Sequence, residues 1–325
     1  MVKIMKKDVM QAVADTGILP VINITDISDA LPLARAVLDG GIKALEITLR
    51  SEVSLLAIKE ITKAYPELSI LAGTILSVDQ AQAALDAGAS GLVMPGYDEE
   101  IVDFAIERGA PIVPGCVSAV DIQKGVKKGL KVFKFFPAEQ CGGIAAIKLL
   151  SGPFKGVKFL PTGGMNYSNI GAYLKEPCVI ACGGSYMADS KLLAAKDFDA
   201  IRENCKRALK ISLGFELAHV GINCEGDENA LNTAKAICSL FDLEIRPMNS
   251  AVFAGTAVEC VKFGGAGANG HIGFFTNSVD RAISYFNDRG IALDMNGAKR
   301  DKSGNITCVY MKDQIAGFAF HVVAK

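Results

Sequence analysis

Eight short apolar runs recur along the first 190 or so residues, and they constrain the fold more than any other feature. The runs ILPVINI, ALEITLR, SILAGTI, GLVMPG, PIVPGC, VFKFFPA, KFLPTGG and CVIACGG begin at residues 18, 44, 69, 91, 111, 132, 158 and 178. Successive starts are 20 to 26 residues apart, which suffices for one strand, one short helix and two turns. Eight such units close a barrel, so residues 1–212 are predicted to form an α/β domain, a (β/α)8 TIM barrel. An open doubly wound sheet shares this alternation, but no GxGxxG follows the first run.

Residues 213–325 follow a different pattern, a weak internal repeat. HVGINCEGDENAL from His219 resembles HIGFFTNSVDRAI from His271, at an offset of 52 residues. AGTAVE from Ala254 resembles AGFAFH from Ala316, at an offset of 62 residues. Two copies of a βαββ-type unit predict a second, small α+β domain.

The composition excludes several classes of partner. The chain of 325 residues has 34 basic and 35 acidic residues, so it lacks the positive charge that nucleic-acid and anionic-membrane binders use. No apolar run approaches the roughly 18 residues that span a bilayer. Nine cysteines without a repeating pattern, and a start without secretory character, predict a protein of the reducing cytoplasm. A small molecule is the expected partner.

A lysine stands within the sixth run, KVFKFFPAEQ, where an extended backbone places Val132, Lys134 and Phe136 on one face. By itself this lysine fits an edge strand from which its head reaches solvent. However, barrels place catalytic groups at the carboxyl ends of their strands, and polar residues stand toward the ends of other runs or directly after them: Glu46, Arg50, Thr74, Thr162 and Ser185. This regularity favours a Lys134 that points into a barrel.

Lys134 and Glu46 are the candidate catalytic residues. Burial favours the neutral form of both side chains, and a neutral amine attacks a ketone to form a Schiff base. Glu46 can carry the protons that cleavage of a neighbouring C–C bond requires, or it can serve only as an ion-pair partner of Lys134 or Arg50. Arg50 can bind a carboxylate through two hydrogen bonds, and Thr74 can add a hydroxyl. A 2-oxo acid offers both the carboxylate and the ketone, and this chemistry needs no metal.

Two glycine pairs predict an anion site. They lie in PTGGMNYSNI and ACGGSYM, at the ends of the seventh and eighth runs. Backbone N–H groups approach an anion closely at glycine, and barrels commonly hold phosphate after these two strands, with helix N-termini behind the loops. One pair alone can mark a tight turn, but two at these positions favour phosphate.

Together these motifs resemble one known family. GILPVI, ALEITLRS, AGT, MPG, KFFPAE, GPF, LPTGG and CGGSYM are similar, in order and over about residues 16–190, to motifs of the 2-keto-3-deoxy-6-phosphogluconate (KDPG) aldolase / 4-hydroxy-2-oxoglutarate (KHG) aldolase family. The resemblance implies a class I aldolase, usually a homotrimer, that cleaves KDPG to pyruvate and glyceraldehyde 3-phosphate. It implies Lys134 as the Schiff-base lysine and Glu46 as the general acid/base. It also implies Arg50 and Thr74 at the pyruvyl carboxylate, Pro95 at the pocket wall, and a phosphate surrounded by Thr162, Gly163, Gly164, Gly184 and Ser185.

The sequence departs from the family pattern at two places, which bear on sugar specificity. Leu71 stands where many members have Gly before the AGT, and GCVSA from Gly115 lies where the placement of Ser or Thr varies. Two alternatives stay open. One is an aldolase for unphosphorylated 4-hydroxy-2-oxoglutarate that gives pyruvate and glyoxylate; the other is a non-catalytic sugar-acid-binding protein in which Lys134 only contacts the ligand.

The repeat region resembles the vicinal oxygen chelate, or glyoxalase-like, modules by its pattern rather than by a signature. In that fold, paired modules bring four side chains to one divalent metal. The repeat puts His219, Glu259, His271 and His321 at equivalent places, and these include all 3 histidines of the chain. Three imidazoles and one carboxylate suit Zn, Fe, Ni or Mn. The alternative is a module without metal, whose histidines belong to the core, because His321 replaces the expected Glu.

Overall fold

The structure is a computed structural model that describes residues 8–325. The chain forms two compact units, and the boundary between them lies between Ser212 and Leu213, where the sequence pattern changes. No helix within the described range is long and apolar enough to cross a bilayer. The two units have different architectures.

Strands and helices alternate through the first unit. Its strands are β1 (Ile18–Ile22), β2 (Ala44–Thr48), β3 (Ser69–Gly73), β4 (Gly91–Val93), β5 (Ile112–Val113), β6 (Gly115–Cys116), β7 (Val132–Phe135), β8 (Lys158–Pro161) and β9 (Cys182–Gly184). Its helices are α1 (Val9–Thr16), α2 (Ala30–Asp39), α3 (Ser54–Ala64), α4 (Val78–Asp86), α5 (Glu99–Glu107), α6 (Ala119–Lys127), α7 (Gly143–Ser151), α8 (Ile170–Leu174), α9 (Ser190–Ala194) and α10 (Phe198–Leu213), with a 3-10 turn at Ile27–Asp29. Each of the eight predicted runs contains a strand. Pro114, which has no N–H to donate, divides the fifth run into β5 and β6.

The strands of the first unit pair in parallel and form a curled sheet. Six pair in the order β5-β4-β3-β2-β1-β9, and three more in the order β6-β7-β8. Single bridges from Phe159 to Val179 and from Thr162 to Gly183 join β8 to the segment of β9. Because β6 continues β5, these pairings return to their starting point. The sheet therefore closes, and the open doubly wound alternative is wrong.

The interior of the curled sheet is apolar at the amino ends of its strands. Inward side chains form a cluster with α1 that contains Val9, Ala12, Val13, Leu19, Ala44, Leu71, Val93, Val113, Leu160 and Ala181. The departure at Leu71 therefore lies in this core, where Leu71 is fully buried. Because side chains alternate along a strand, the inward Ala44 of β2 is followed on the same face by Glu46 and Thr48. This alternation carries polar groups inward at the carboxyl ends.

The second unit is one mixed sheet with a helix in each half. The first half contains β10 (Glu216–Asn223), α11 (Asp227–Phe241), β11 (Ile245–Pro247), β12 (Ala251–Ala254) and β13 (Val258–Val261). The second half contains β14 (Gly270–Thr276), α12 (Val279–Asn287), β15 (Leu293–Arg300), β16 (Ile306–Ile315) and β17 (Phe318–Ala324). The strand order is β11-β12-β13-β10-β14-β17-β16-β15. In each half the first strand pairs in parallel with the last, and β10 and β14 join the halves in antiparallel fashion.

Each half of this sheet has three strands after its helix, so the expected βαββ unit is corrected to βαβββ. The additional strands are β11 and β15, which lie at the two edges of the sheet. All three residues of β11 are exposed, and most of β15 is exposed or half-buried. An edge strand with little burial shows no apolar alternation in the sequence, which is why the repeat did not reveal it.

Candidate active site

A cavity at the carboxyl ends of the strands brings together every residue that the sequence predicted for an aldolase site. Its volume is about 310 Å³. The predicted residues that line it are Glu46, Arg50, Thr74, Pro95, Lys134, Thr162, Gly163, Gly164, Gly184 and Ser185. Val21, Thr48, Phe136 and Met165 complete the lining. Parallel strands in a closed sheet end at one face, so residues far apart in the sequence meet there.

Lys134 and Glu46 form a buried ion pair in this cavity. The Nζ of Lys134 lies 2.9 Å from Oε1 and 3.2 Å from Oε2 of Glu46. The lysine side chain is 7% exposed and the glutamate side chain 0%. The edge-strand interpretation of Lys134 is wrong, because β7 lies between β6 and β8. An amine and a carboxylate at this distance can exchange a proton directly, which frees the amine as a nucleophile.

Arg50 is held by a chain of hydrogen bonds and not by Glu46. Its Nε donates to Thr48 Oγ1 at 3.3 Å. The Thr48 hydroxyl in turn lies 3.3 Å from Asn23 Oδ1 and 3.4 Å from the carbonyl oxygen of Ile22, and it can donate to one of them. Thr48 is buried whereas Arg50 is exposed, so a buried threonine holds the Nε of an arginine that lines the cavity.

Thr74 has an uncommon backbone conformation at the wall of the cavity. It follows directly after β3, and its φ is 61°, in the left-handed region. This conformation is an outlier for a β-branched residue, and such residues concentrate at functional sites. The turn directs the chain so that Thr74 lines the cavity beside Glu46 and Pro95.

The glycine pair after β8 has the left-handed conformation that glycine permits. Gly163 and Gly164 have φ values of 94° and 80°. A Cβ on Gly164 would also lie 2.6 Å from Cγ of Glu139. The helices that follow the two glycine loops are α8 and α9, which have 5 residues each and begin at Ile170 and Ser190. An anion here would rely on backbone N–H groups of the loops.

Sequence reasoning missed Thr48, Val21 and Met165 as lining residues. Thr48 carried a usable signal, since it stands between Glu46 and Arg50 at a spacing of two, the period of one face of a strand. Val21 and Met165 are ordinary apolar residues, and nothing in the sequence distinguishes them from core positions.

Comparison with known proteins identifies the first unit. The family model "KDPG and KHG aldolase" matches residues 9–204. The chain belongs to this aldolase family. Each of the residues that line the cavity lies within the matched range. The match ends before the second unit, which begins at Leu213.

Aldolases of this family from several bacteria are similar to the chain. The 2-dehydro-3-deoxy-phosphogluconate aldolase of Treponema pallidum is 39% identical over 203 residues, which are 62% of this chain and 97% of that protein. That of Pseudomonas aeruginosa is 42% identical over 196 residues, 60% of this chain and 89% of that protein. A crystal structure of KDPG aldolase from Legionella pneumophila, with pyruvate captured at low pH as a covalent carbinolamine intermediate, is 36% identical with a TM-score of 0.61. It covers 63% of this chain and 99% of that one.

The second unit has its own polar cluster, formed by the four side chains that the repeat predicted. Glu259 and His271 both lie opposite Gly221, and His219 and His321 both pair across Gly273. The Nε2 atoms of His219 and His271 are 3.1 Å apart. Glu259 Oε2 lies 3.1 Å from the His271 Nε2 and 3.5 Å from the His219 Nε2. One nitrogen from each of the three histidines lies within 4.8 Å of the others.

The environment of this cluster favours the neutral forms of His219 and His321 and the ionised form of Glu259. Burial, reinforced by the nearby His219 and His271, lowers the pKa of His321 to about 3. Burial also lowers the pKa of His219. The hydrogen bond with His271 lowers the pKa of Glu259. These are the protonation states in which imidazole and carboxylate bind metal ions.

Proposed function

We propose that the first unit is a class I aldolase that cleaves KDPG to pyruvate and glyceraldehyde 3-phosphate, with Lys134 as the Schiff-base residue and Glu46 as the general acid and base. The observation that carries this proposal is the buried Lys134–Glu46 pair, 2.9 Å apart, in a cavity of a family member. The names and identities of the relatives support KDPG as the substrate.

The proposed cycle uses the two side chains in turn. Glu46 accepts the ammonium proton of Lys134, and the free amine adds to the C2 ketone. Glu46 then gives this proton to the carbinolamine hydroxyl, which leaves as water, so that a protonated Schiff base remains. Glu46, ionised again, then removes the proton of the C4 hydroxyl. The electron pair of the C3–C4 bond moves into the protonated imine, which gives an enamine and releases the aldehyde. Glu46 returns its proton to C3, and water hydrolyses the protonated imine to pyruvate and the lysine ammonium group.

The rest of the cavity supports the placement of a 2-oxo acid phosphate. We propose that Arg50 and Thr74 bind the carboxylate next to the ketone, because a guanidinium can hold a carboxylate through two hydrogen bonds. Pro95 shapes the wall of the same pocket. The phosphate would lie at Thr162, Gly163, Gly164, Gly184 and Ser185, where backbone N–H groups rather than positively charged side chains would bind it.

Reductive trapping tests this proposal. The protein is incubated with pyruvate and borohydride, and the product is analysed by intact mass and peptide mapping. We expect one reduced pyruvyl adduct per chain, on Lys134. Folded protein that gives no adduct would contradict the aldolase assignment and favour a sugar-acid-binding protein.

The substrate is tested by comparing kcat/KM for KDPG, for its dephosphorylated analogue and for 4-hydroxy-2-oxoglutarate. We expect KDPG to be cleaved most efficiently, because the two other compounds leave the glycine loops without an anion. A higher kcat/KM with 4-hydroxy-2-oxoglutarate would reverse the order of the two aldolase activities.

We also propose a cytoplasmic homotrimer, as the family resemblance implies. The near balance of 34 basic and 35 acidic residues supports a small-molecule partner and no nucleic acid or membrane. Light scattering is expected to give three chain masses, and a monomer or dimer at working concentration would contradict the trimer.

For the second unit we propose a glyoxalase-like fold that holds a divalent metal through His219, Glu259, His271 and His321. Metal bonds of about 2.0–2.1 Å place neighbouring donor atoms of a tetrahedral site roughly 3.3 Å apart. Three donor pairs in the cluster, separated by 3.1, 3.1 and 3.5 Å, fit this spacing. A metal here would act as a Lewis acid on an oxygen of a bound oxo acid.

Metal titration tests this second proposal. The protein is treated with a chelator, dialysed, and titrated with Zn²⁺ in a calorimeter and with Co²⁺ in a spectrophotometer. We expect one ion per chain and a Co²⁺ visible spectrum of a nitrogen- and oxygen-coordinated ion. Absence of uptake would leave the histidines as a polar part of the core.

A further inference from the structure

Gly73, the last residue of β3, lies directly against the side chain of Glu46 on the neighbouring strand. In the register of β2 and β3, Glu46 pairs with Leu71 and Thr48 pairs with Gly73. A Cβ built on Gly73 would lie 2.2 Å from Oε1, 2.7 Å from Cγ and 2.8 Å from Cδ of Glu46. These separations are far below a van der Waals contact of about 3.5–4.0 Å. The carboxyl group of Glu46 therefore occupies the volume that any other residue at position 73 would fill.

A displacement of the Glu46 carboxyl group changes its contact with Lys134. Its side chain is fully buried, and both of its oxygens lie within 3.2 Å of the Lys134 Nζ. Interiors are packed so closely that a new methyl group displaces its neighbours. The atom nearest to the new Cβ would be Oε1, which is also the oxygen nearer to the lysine, so a displacement would act first on this contact.

We propose that Gly73 is a positioning residue for the reaction: by having no side chain, it sets where the Glu46 carboxyl group stands relative to Lys134. This inference rests on the proposed aldolase function. The backbone of Gly73 is not left-handed, so alanine can adopt its conformation. A Gly73→Ala variant therefore changes the space beside Glu46 without straining the backbone.

Two readouts with pyruvate alone separate positioning of Glu46 from binding at Lys134. The first is the extent of reductive trapping at saturating pyruvate, which reports the Schiff base at equilibrium. The second is exchange of the C3 methyl protons of pyruvate in D2O, which requires a placed acid and base. We expect Gly73→Ala to be trapped to within threefold of the wild type while exchange and KDPG cleavage fall about a hundredfold, as a misplacement of about 1 Å can cause.

Gly91→Ala is the matched control. Gly91 is a buried strand glycine whose added Cβ would lie 3.2 Å from the carbonyl oxygen of Pro111 and from Val9 Cγ1, away from the catalytic pair. We expect it to lower thermal stability but to keep the exchange rate per folded molecule. Exchange by Gly73→Ala within threefold of the wild type, or an equal loss of exchange and trapping, would overturn the inference. Wild-type protein that traps no pyruvate would instead overturn the aldolase function.

A second comparison decides the matter if Gly73→Ala is unstable. Glu46→Asp removes one methylene from the side chain that the new methyl group meets. If the contact is as inferred, Gly73→Ala lowers the melting temperature much less in the Glu46→Asp background than in the wild type. An equal decrease in both backgrounds would show that Glu46 is not what the methyl group displaces, and the inference would be wrong.

Discussion

The barrel and the repeat sheet both gather polar side chains inside an apolar framework, but they balance charge in different ways. In the barrel, the Glu46 carboxylate meets a cation of the same chain, since Lys134 lies 2.9 Å away. In the sheet, the Glu259 carboxylate meets imidazoles at 3.1 and 3.5 Å, in a setting that keeps His219 and His321 neutral at neutral pH. A carboxylate grouped with imidazoles is the kind of donor set that the proposed metal would need, whereas a buried ion pair can carry out proton transfer without a metal.

Despite this difference, the two units share one structural feature. In both units a glycine on an adjacent strand leaves room for the functional side chain. Gly73 makes room for Glu46, and Gly273 makes room for the rings of His219 and His321, since its added Cβ would lie 2.7 Å and 2.5 Å from atoms of those rings. Reactive groups close to a β-strand backbone thus depend on glycines that a sequence motif alone does not connect to them.

The largest effect is expected from removing the cation of the barrel pair. Lys134→Met should abolish reductive trapping and reduce KDPG cleavage by at least about 10³-fold, because no nucleophile remains. It also leaves a buried carboxylate unpaired, at a cost of about 3–5 kcal/mol of stability. Activity is measured by coupled assay, and stability by thermal unfolding.

The double variant Glu46→Gln/Lys134→Met is the control for that stability loss. It replaces the ion pair by neutral groups, so we expect it to recover most of the melting temperature while staying inactive. Lys131→Ala, which changes an exposed lysine three residues away, should keep full activity. Turnover by Lys134→Met at more than a few per cent of the wild-type rate would disprove the Schiff-base mechanism.

A smaller but still large effect is expected from removing one donor of the sheet cluster. His271→Ala deletes the ring that lies 3.1 Å from both His219 and Glu259, and it should weaken Zn²⁺ binding by at least about a hundredfold. Tyr310→Phe, which keeps the neighbouring aromatic ring, should bind as the wild type does. Calorimetry measures both. Equal affinity in the wild type and His271→Ala would place the ion elsewhere.

Gly273→Ala tests the role of glycine in the sheet as Gly73→Ala tests it in the barrel. The added methyl group should push the rings of His219 and His321 apart and weaken Zn²⁺ binding about 10- to 100-fold, the range seen when the support of metal ligands is disturbed. Thermal unfolding of the metal-free protein shows whether the unit is still folded. Unchanged affinity in folded protein would mean that the rings adapt without loss.

Sequence reasoning recovered the features that depend on burial, because burial determines which positions along the sequence are apolar. Buried strand segments leave eight apolar runs, and the closed sheet brings Glu46 and Arg50 of the second run to the same cavity as Lys134 of the sixth. The repeat offsets of 52 and 62 residues likewise agree with the register, which pairs Glu259 with Gly221 and His321 with Gly273. Edge strands β11 and β15 leave no such pattern because they are largely exposed.

What sequence reasoning could not recover depends on contacts between strands. The contact of Gly73 with Glu46 and that of Thr48 with Asn23 depend on how neighbouring strands align, which the sequence does not show. The glycine loops are a second example of structure that the sequence did not reveal. Gly163 and Gly164 line the cavity, but the sequence did not reveal the turn before α8, in which the Asn169 side chain accepts the backbone N–H of Asn166.

A modest effect is expected from substituting Thr48. The variant distinguishes a role in substrate binding from a role in the chemical step. Thr48→Val keeps the volume but removes the hydroxyl that accepts from the Arg50 Nε. Loss of a hydrogen bond to a charged group costs about 1.5–3 kcal/mol when no water replaces it, and less at an exposed arginine. We therefore expect KM for KDPG to rise about three- to tenfold with kcat nearly constant. A fall in kcat at unchanged KM would assign Thr48 to the chemical step.

For removal of metal we expect no change in aldolase activity, and this result would distinguish the chemistry of the two units. The proposed barrel chemistry uses Lys134 and Glu46 and no metal, so treatment with a chelator should leave kcat and KM for KDPG unchanged. The measurement is a steady-state assay before chelation, after chelation and after Zn²⁺ is restored, with metal content determined at each stage. If activity falls on chelation and returns with Zn²⁺, the metal-free assignment of the barrel is wrong. If the metal leaves and activity stays, the buried ion pair of the barrel is sufficient for the reaction.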